Sequence, residues 1–347
     1  MKYALPVHPE EVTKGLFSAL NKRTKDILEQ RFGLGKNPKR MTLEAIGQKY
    51  DITRERVRQI EADGFSKIKK SQVYADAKPV FSALEHYFNA EGRVIKETKA
   101  LGDFAPHPKH ENHIYFLLSL HDPFLRHHES DDLHDRWSYG EESDDKAKRA
   151  LDGAVSELRN VGKPVPEQKL FEVLSSSAKS VLGDGNPPPS QTVLANWVGV
   201  SKLIAKNYFN EWGLTEFPEI KPRGVRDLSY MVMVRNEKPL HFSEVADKVS
   251  KLTGKKAHVQ TVHNELIKDP RFVLVGRGMY ALKNWGYAEG VVKDIISGIL
   301  KKDGALSKEK IVEKVLKERM VKPNTVAINL ENKAHFKKLA DGRFSLK

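Results

Sequence analysis

The chain has 347 residues, no cysteine, 39% hydrophobic and 30% charged residues, and a formal net charge of +13. The missing cysteines exclude disulfides and thiolate metal sites, and no apolar run approaches a secretory signal or a membrane span, so a cytoplasmic protein with no membrane partner is expected. The length suits several small domains, and the surplus of cations favours a polyanionic partner, nucleic acid first among them.

The first 72 residues read as an all-helical unit. Apolar spacing predicts helices over 10–20 and 22–32, a loop over 33–40, and two more helices within 41–70, MTLEAIGQKYDITRERVRQIEADGFSKIKK. Thr42 is placed to cap the first of these, which carries Leu43, Ala45, Ile46 and Tyr50. Asp51 and Ile52 make the turn, and Thr53 caps a second helix with Val57, Ile60 and Ile68 on its inner side. Arg54, Glu55, Arg58 and Gln59 share the opposite side. A helix that packs on one side and offers Arg and Gln on the other suits the major groove, where Arg can bridge guanine and Gln adenine. The competing assignment is a solvated charged face, and against it stands the cap–helix–turn–cap–helix order.

The run LNKRTKDILEQRFGL at 20–34, followed by TLEAIGQKYDITRERVRQIEA, closely resembles region 4 of bacterial housekeeping-type sigma factors over about the first 70 residues. The resemblance implies that the second helix reads an upstream promoter element in double-stranded DNA and that the unit docks on the RNA polymerase core. Carried over by position, Arg54, Glu55, Arg58 and Gln59 are the base readers, with Arg56 nearer the phosphates; Thr42, Thr53 and Lys67 complete the DNA-binding set. Where the family continues with Lys-Ala-Leu-Arg-Lys-Leu, this chain has Asp63-Gly64-Phe65-Ser66-Lys67-Ile68. Two cations are lost and an acid gained, and glycine within a helix costs about 1 kcal/mol relative to alanine. Weaker DNA affinity than in the family is therefore expected.

From residue 79 a different unit recurs. TVHNELIKDPRFVLVGRGMYAL at 261–282 lies over TVAINLENKAHFKKLADGRFSL at 325–346 at a constant offset of 64, without a gap. Each unit is expected to run helix, helix, helix and two short strands, the winged helix-turn-helix plan. In 224–287 the helices are predicted at 225–235, 242–252 and 259–267, and the strands at 272–275 and 279–282, around a Gly276-Arg277-Gly278 turn. That stretch resembles the HARE-type helix-turn-helix domain, which also forms the ordered part of the delta subunit of Gram-positive RNA polymerases.

Two segments fit the plan less closely. Residues 79–145 offer helices at 81–89 and 111–119 and a hairpin of 124–127 with 134–137. Residues 150–220 offer helices at 154–158, 167–182 and 192–212, the last broken near Gly199 with Ser201 capping its second half, and a loop at 183–190. The expected fold class is mainly α: a sigma region 4-like helix-turn-helix (1–72), then tandem winged helix-turn-helix units with short β-hairpins (79–145, 150–220, 224–287 and 288–347).

Among chemistry-bearing groups, 129–145 carries eight acids against one Arg and reads as a solvated linker, or alternatively as a DNA-mimicking or polymerase-contacting patch. His107, His110, His113, His121, His127, His128 and His134 form the one histidine-rich stretch; Pro106 and Pro108 interrupt its spacing, and surface and wing positions account for it. No metal, cofactor or catalytic residue is expected, since phosphate-loop, nucleophile-elbow and His-Glu-x-x-His motifs are absent. Arg277 at a hairpin tip is a candidate for the minor groove, set against a simple solvated turn. Residues 291–347 hold 14 Lys or Arg against seven acids, suited to phosphate contact.

The function expected from these features is that of a sigma-like transcription factor acting with RNA polymerase, though not a complete sigma factor. Its alternatives are a polymerase-associated interaction scaffold, or the targeting subunit of a DNA-modifying system.

Overall fold

The computed structural model describes residues 3–36, 38–105, 107–183, 187–287, 290–319 and 321–347. Pro106 and part of the expected 183–190 loop lie outside the described residues. The chain divides into two compact units, Met1–Ala205 with Trp212–Thr215, and Lys206–Glu211 with Glu216–Lys347.

The first unit begins with four helices, α1 (Pro9–Phe17), α2 (Lys22–Phe32), α3 (Leu43–Tyr50) and α4 (Arg54–Lys69). The first is shorter than its apolar pattern suggested, because Ser18–Leu20 close in tight turns before Asn21 caps α2 by accepting the Thr24 N–H at 2.8 Å. A short α5 (Gln72–Asp76) leads into α6 (Lys78–Glu91), β1 (Val94–Lys96), α7 (Glu97–Gly102) and a 3-10 turn at Pro108–His110. That turn runs into α8 (Glu111–Leu120), which is followed by β2 (Phe124–His127) and β3 (Arg136–Tyr139). The strands form an antiparallel sheet in the order β1-β3-β2, with Phe124 opposite Tyr139 and Val94 opposite Ser138. The second hairpin strand therefore lies two residues later than its expected position at 134–137.

Next come α9 (Ser143–Val161), α10 (Glu167–Leu182), α11 (Gln191–Val200), β4 (Ile204–Lys206) and β5 (Trp212–Leu214). Here a helical expectation fails. The chain leaves the helix at Val200, Ser201 ends it in an extended conformation instead of capping a second helical half, and the residues expected to continue the helix form the β4–β5 hairpin. A single bridge, Val165 to Trp212, adds a first strand to it.

The second unit contains α12 (Val225–Asn236), β6 (Leu240–His241), α13 (Phe242–Thr253), α14 (Val259–Lys268), β7 (Phe272–Leu274) and β8 (Met279–Leu282), with sheet order β6-β8-β7. It ends with α15 (Val292–Asp303), α16 (Lys308–Glu318), α17 (Pro323–Leu330), β9 (Phe336–Lys338) and β10 (Phe344–Leu346); Leu306, bridged to Phe344, stands as a one-residue first strand. The same order of helix, strand, helix, helix, strand, strand thus recurs four times. In every case the last strand pairs with both others. No helix among the described residues is long and apolar enough to cross a membrane.

The acidic stretch is not a linker. It holds β3 and the start of α9, and Asp144 is buried in a bidentate pair with Arg136 at 2.5 and 2.6 Å.

One apolar core runs through the four-helix head and the unit behind it. Leu16, Phe17, Leu28, Phe32 and Ile68 pack with Val80, Leu84, Phe88, Ile114, Phe116 and Leu117. Phe116 of α8 sits among Phe17, Phe32 and Phe65, with ring centroids 5.1, 5.3 and 5.9 Å away. Asn112 ties down the loop after α2, donating to the carbonyls of Gly33 at 3.0 Å and Pro38 at 2.6 Å.

The seam between α1 and α8 also holds histidines that the sequence placed on the surface. His110 and His113 are buried; His110 packs edge-on to His8 at 4.6 Å, and His113 Nδ1 lies 3.1 Å from the Thr13 hydroxyl. Burial pushes the His113 imidazole down from 6.5 to about 4. Its folded form thus prefers to be neutral, so its contribution to stability is intact above pH 6.5 and is lost as the pH falls toward 4. Replacing it, as in His113→Gln, should flatten the fall in urea midpoint between pH 7 and pH 5; an unchanged slope would contradict this placement.

Candidate nucleic-acid interface

Helices α3 and α4 form the helix-turn-helix. Thr42 accepts the Ala45 N–H and Thr53 accepts the Arg56 N–H, each at 3.1 Å, so both expected caps are made. Between them Asp51 takes a left-handed conformation with φ 53°, and the Ile52 N–H returns to the Gly47 carbonyl at 3.0 Å. The turn depends on glycine at 47, where a Cβ would lie 2.6 Å from the Ile52 carbonyl oxygen. Ile46 and Val57 are fully buried against Ile27 of α2, which sets the rotation of α4 about its axis.

That rotation leaves Arg54, Glu55, Arg56, Arg58 and Gln59 exposed together on one side. Arg58 donates to Glu55 through Nε at 2.9 Å and Nη2 at 2.7 Å, and Arg56 donates to the Gln59 side-chain oxygen at 3.0 Å. The pairing holds the Glu55 carboxyl below its ordinary range and raises the Arg58 guanidinium above its own. These exposed contacts pre-align planar donors and can be exchanged for base edges or phosphates at little cost. Lys67 is exposed farther along α4, 11 residues beyond Arg56 and so ~16 Å along the axis on nearly the same side. The Thr42 and Thr53 hydroxyls, engaged as acceptors, are also exposed. Arg277 is exposed at the β7–β8 turn, which belongs to the other compact unit.

The departures after Ala62 have a structural cause that their lost charge did not reveal. Gly64 is buried where α4 crosses α2, and a Cβ there would lie 3.0 Å from both Leu28 Cδ1 and Thr24 Cγ2. Phe65 stacks on Phe32 at 5.8 Å and meets Phe116 of α8. These residues dock the back of α4 onto the neighbouring helices. A side chain looking inward from a helix otherwise rich in charge was the available signal.

The third helices of the next two repeats are not open in this way. Most of α8 is buried in the head's core, and α11 is anchored on the repeat before it. Asn196 donates to the Glu91 carbonyl at 2.7 Å and carboxylate at 2.8 Å, and the Trp197 indole N–H donates to the Gly92 carbonyl at 3.0 Å. Neither helix can enter a groove as placed.

A capped helix-turn-helix with an exposed Arg and Gln side defines a candidate DNA-reading head. Residues 16–70 match the model for sigma-70, region 4. A stretch of 59 residues, 17% of the chain, is 44% identical to RNA polymerase sigma factor RpoD of Neisseria gonorrhoeae and to RNA polymerase sigma factor SigA1 of Synechococcus elongatus. The same length is 41% identical to RpoD of Helicobacter pylori. The chain covers 9%, 14% and 9% of these relatives' own lengths, so the similarity is to one domain of each.

Because Gly64 sits in contact with α2, Gly64→Leu should overpack the crossing and cost about 1–3 kcal/mol. Chemical denaturation followed by circular dichroism reads this; a variant as stable as the parent would mean that α2 yields freely.

Proposed function

We propose that this chain is a sigma-like DNA-binding transcription factor that acts with RNA polymerase. The observation that carries the reading is the exposed Arg54–Gln59 side of α4, set on a head matched to region 4. In this reading α4 enters the major groove of promoter-type duplex DNA. Arg54, Glu55, Arg58 and Gln59 meet base edges, Arg56 and Lys67 meet phosphates, and the capping threonines fix the helix that carries them.

The rest of the chain divides the work. The α8 and α11 repeats serve as a mount for the head, because their third helices are spent on internal packing. The α12–β8 repeat, with its likeness to HARE-type domains, and the repeat after it add contacts to DNA or polymerase, Arg277 among them. No catalytic step belongs to this function.

A scaffold reading has one observation in its favour: two of the four repeats use their third helix to hold protein rather than nucleic acid. It separates cleanly from the first, since a scaffold needs no sequence preference.

Binding titrations with a duplex carrying an upstream promoter element, and with a scrambled duplex, test the reading. Arg58→Ala or Gln59→Ala should each cost about 1–3 kcal/mol of discrimination between the two. Unchanged affinity and preference in both variants would remove the groove-reading claim and leave the scaffold.

A further inference from the structure

The chain's positive charge is unevenly placed. The first compact unit holds 31 Lys or Arg against 29 Asp or Glu, whereas the second holds 28 against 17. The unit that contains the reading helix is almost balanced, and the phosphate-seeking charge lies in the other one.

Within that second unit the third helices are poor candidates to carry it. The exposed positions of α17 are Pro323, Asn324, Thr325 and Ile328, the last 60% exposed, and none is a cation. On α14, Val259 and Ile267 are exposed at 41% and 63%, with Lys268 the one Lys or Arg in the helix. By contrast α4 shows three arginines within five residues.

The β9–β10 hairpin has the opposite character. Residues 333–347 carry Lys333, Lys337, Lys338, Arg343 and Lys347 against a single acid, Asp341. Lys333, Lys337 and Lys338 are exposed, and no ion pair engages them among the described residues. Arg343, by contrast, is paired with Asp341 at 2.6 Å. The hairpin is also firmly built: Phe336 is buried in the repeat's core, and the Leu339 N–H meets the Arg343 carbonyl at 2.7 Å. The other hairpins differ. Glu129, Asp131 and Asp132 lie at the β2–β3 tip, and Arg277 is the single cation of the β7–β8 turn.

We propose that the last repeat is a sequence-independent binding site for double-stranded DNA, and that it grips the phosphate backbone with the β9–β10 wing while its third helix stays out of the groove. Lys333, Lys337 and Lys338 are the residues that neutralise phosphates; each contact displaces a condensed counterion, so binding is strongly salt-dependent. Lysines on an edge strand can instead serve to block strand-to-strand association. That role leaves DNA affinity untouched, which makes the two separable.

The experiment is a fluorescence-anisotropy titration of the full chain on a random-sequence duplex over a range of salt concentrations. The triple variant Lys333→Gln, Lys337→Gln, Lys338→Gln should lower the slope of log affinity against log salt by about 2–3, following the ~0.9 counterions released per phosphate. It should also weaken low-salt binding at least tenfold, keep the parent's melting temperature, and leave the ratio of promoter-type to scrambled duplex affinity unchanged. The pair Thr325→Ala, Ile328→Ala should bind as the parent does. An unchanged slope in the triple variant, or weakening confined to the α17 pair, would overturn the proposal. Loss of α4's sequence preference in Arg58→Ala bears on the head alone, so the two claims fail independently.

Discussion

Phe116 inserts from α8 into the space between Phe17, Phe32 and Phe65, and most of the first compact unit is arranged about that contact. A head of roughly 60 residues buries only a modest share of its surface by itself. Here its inner side is completed by a helix from the following repeat, with Asn112 holding the α2–α3 loop and Gly64 allowing α4 to lie close on α2. Burying an aromatic side chain contributes about 1.5–3 kcal/mol, and edge-to-face partners add about 0.5–1.5 kcal/mol. The consequence for function is orientation: with its inner side fixed, α4 can present only its Arg and Gln side to solvent.

The same position in the repeat, the third helix, is put to different uses along the chain, and composition explains the division. In α8 the run Ile114-Tyr115-Phe116-Leu117-Leu118 leaves no polar side, so the helix must be covered all round. In α11 a polar Asn196 and the indole of Trp197 are buried, and both find acceptors on the preceding repeat, as buried polar groups require. There Gly92, with φ 101°, leaves the room that Val193 occupies; a Cβ would lie 2.6 Å from it. By contrast α14 buries Val262 with Leu266, α17 buries Val326, Ala327 and Leu330, and each leaves its opposite side in solvent.

Much of this was legible because it is local. The three helices and the β7–β8 hairpin of the α12–β8 repeat were placed within a residue or so, since its apolar periods switch cleanly at the Gly276-Arg277-Gly278 turn, whereas the two-residue β6 was not. The α3–α4 site followed from two threonine caps and a two-faced helix. What escaped depends on distant partners. β1 is three residues long and exists because Val94 pairs with Ser138, 44 positions away. β4 reads as helix until Trp212 closes the hairpin against Val165. Gly64 and Phe65 looked like damage to a DNA-binding helix because nothing nearby in sequence names Leu28 or Phe116 as their neighbours. The histidines looked superficial because their burial comes from α1, 100 residues upstream of α8.

The missing cations on α4 can now be weighed differently. A lone head must supply both discrimination and grip, so every phosphate that the helix no longer neutralises weakens it directly. In a chain whose second compact unit carries most of the net charge, grip can come from elsewhere on the same molecule, and tethering turns that second attachment into a high local concentration worth ~10²-fold or more in avidity. Position 64 can then be spent on close packing and position 65 on an aromatic contact. The exposed Arg54, Glu55, Arg58 and Gln59 lie on the first turns of α4, while Gly64 and Phe65 fall on its later turns. Under the proposed function, discrimination and grip are thus borne by different parts of one chain.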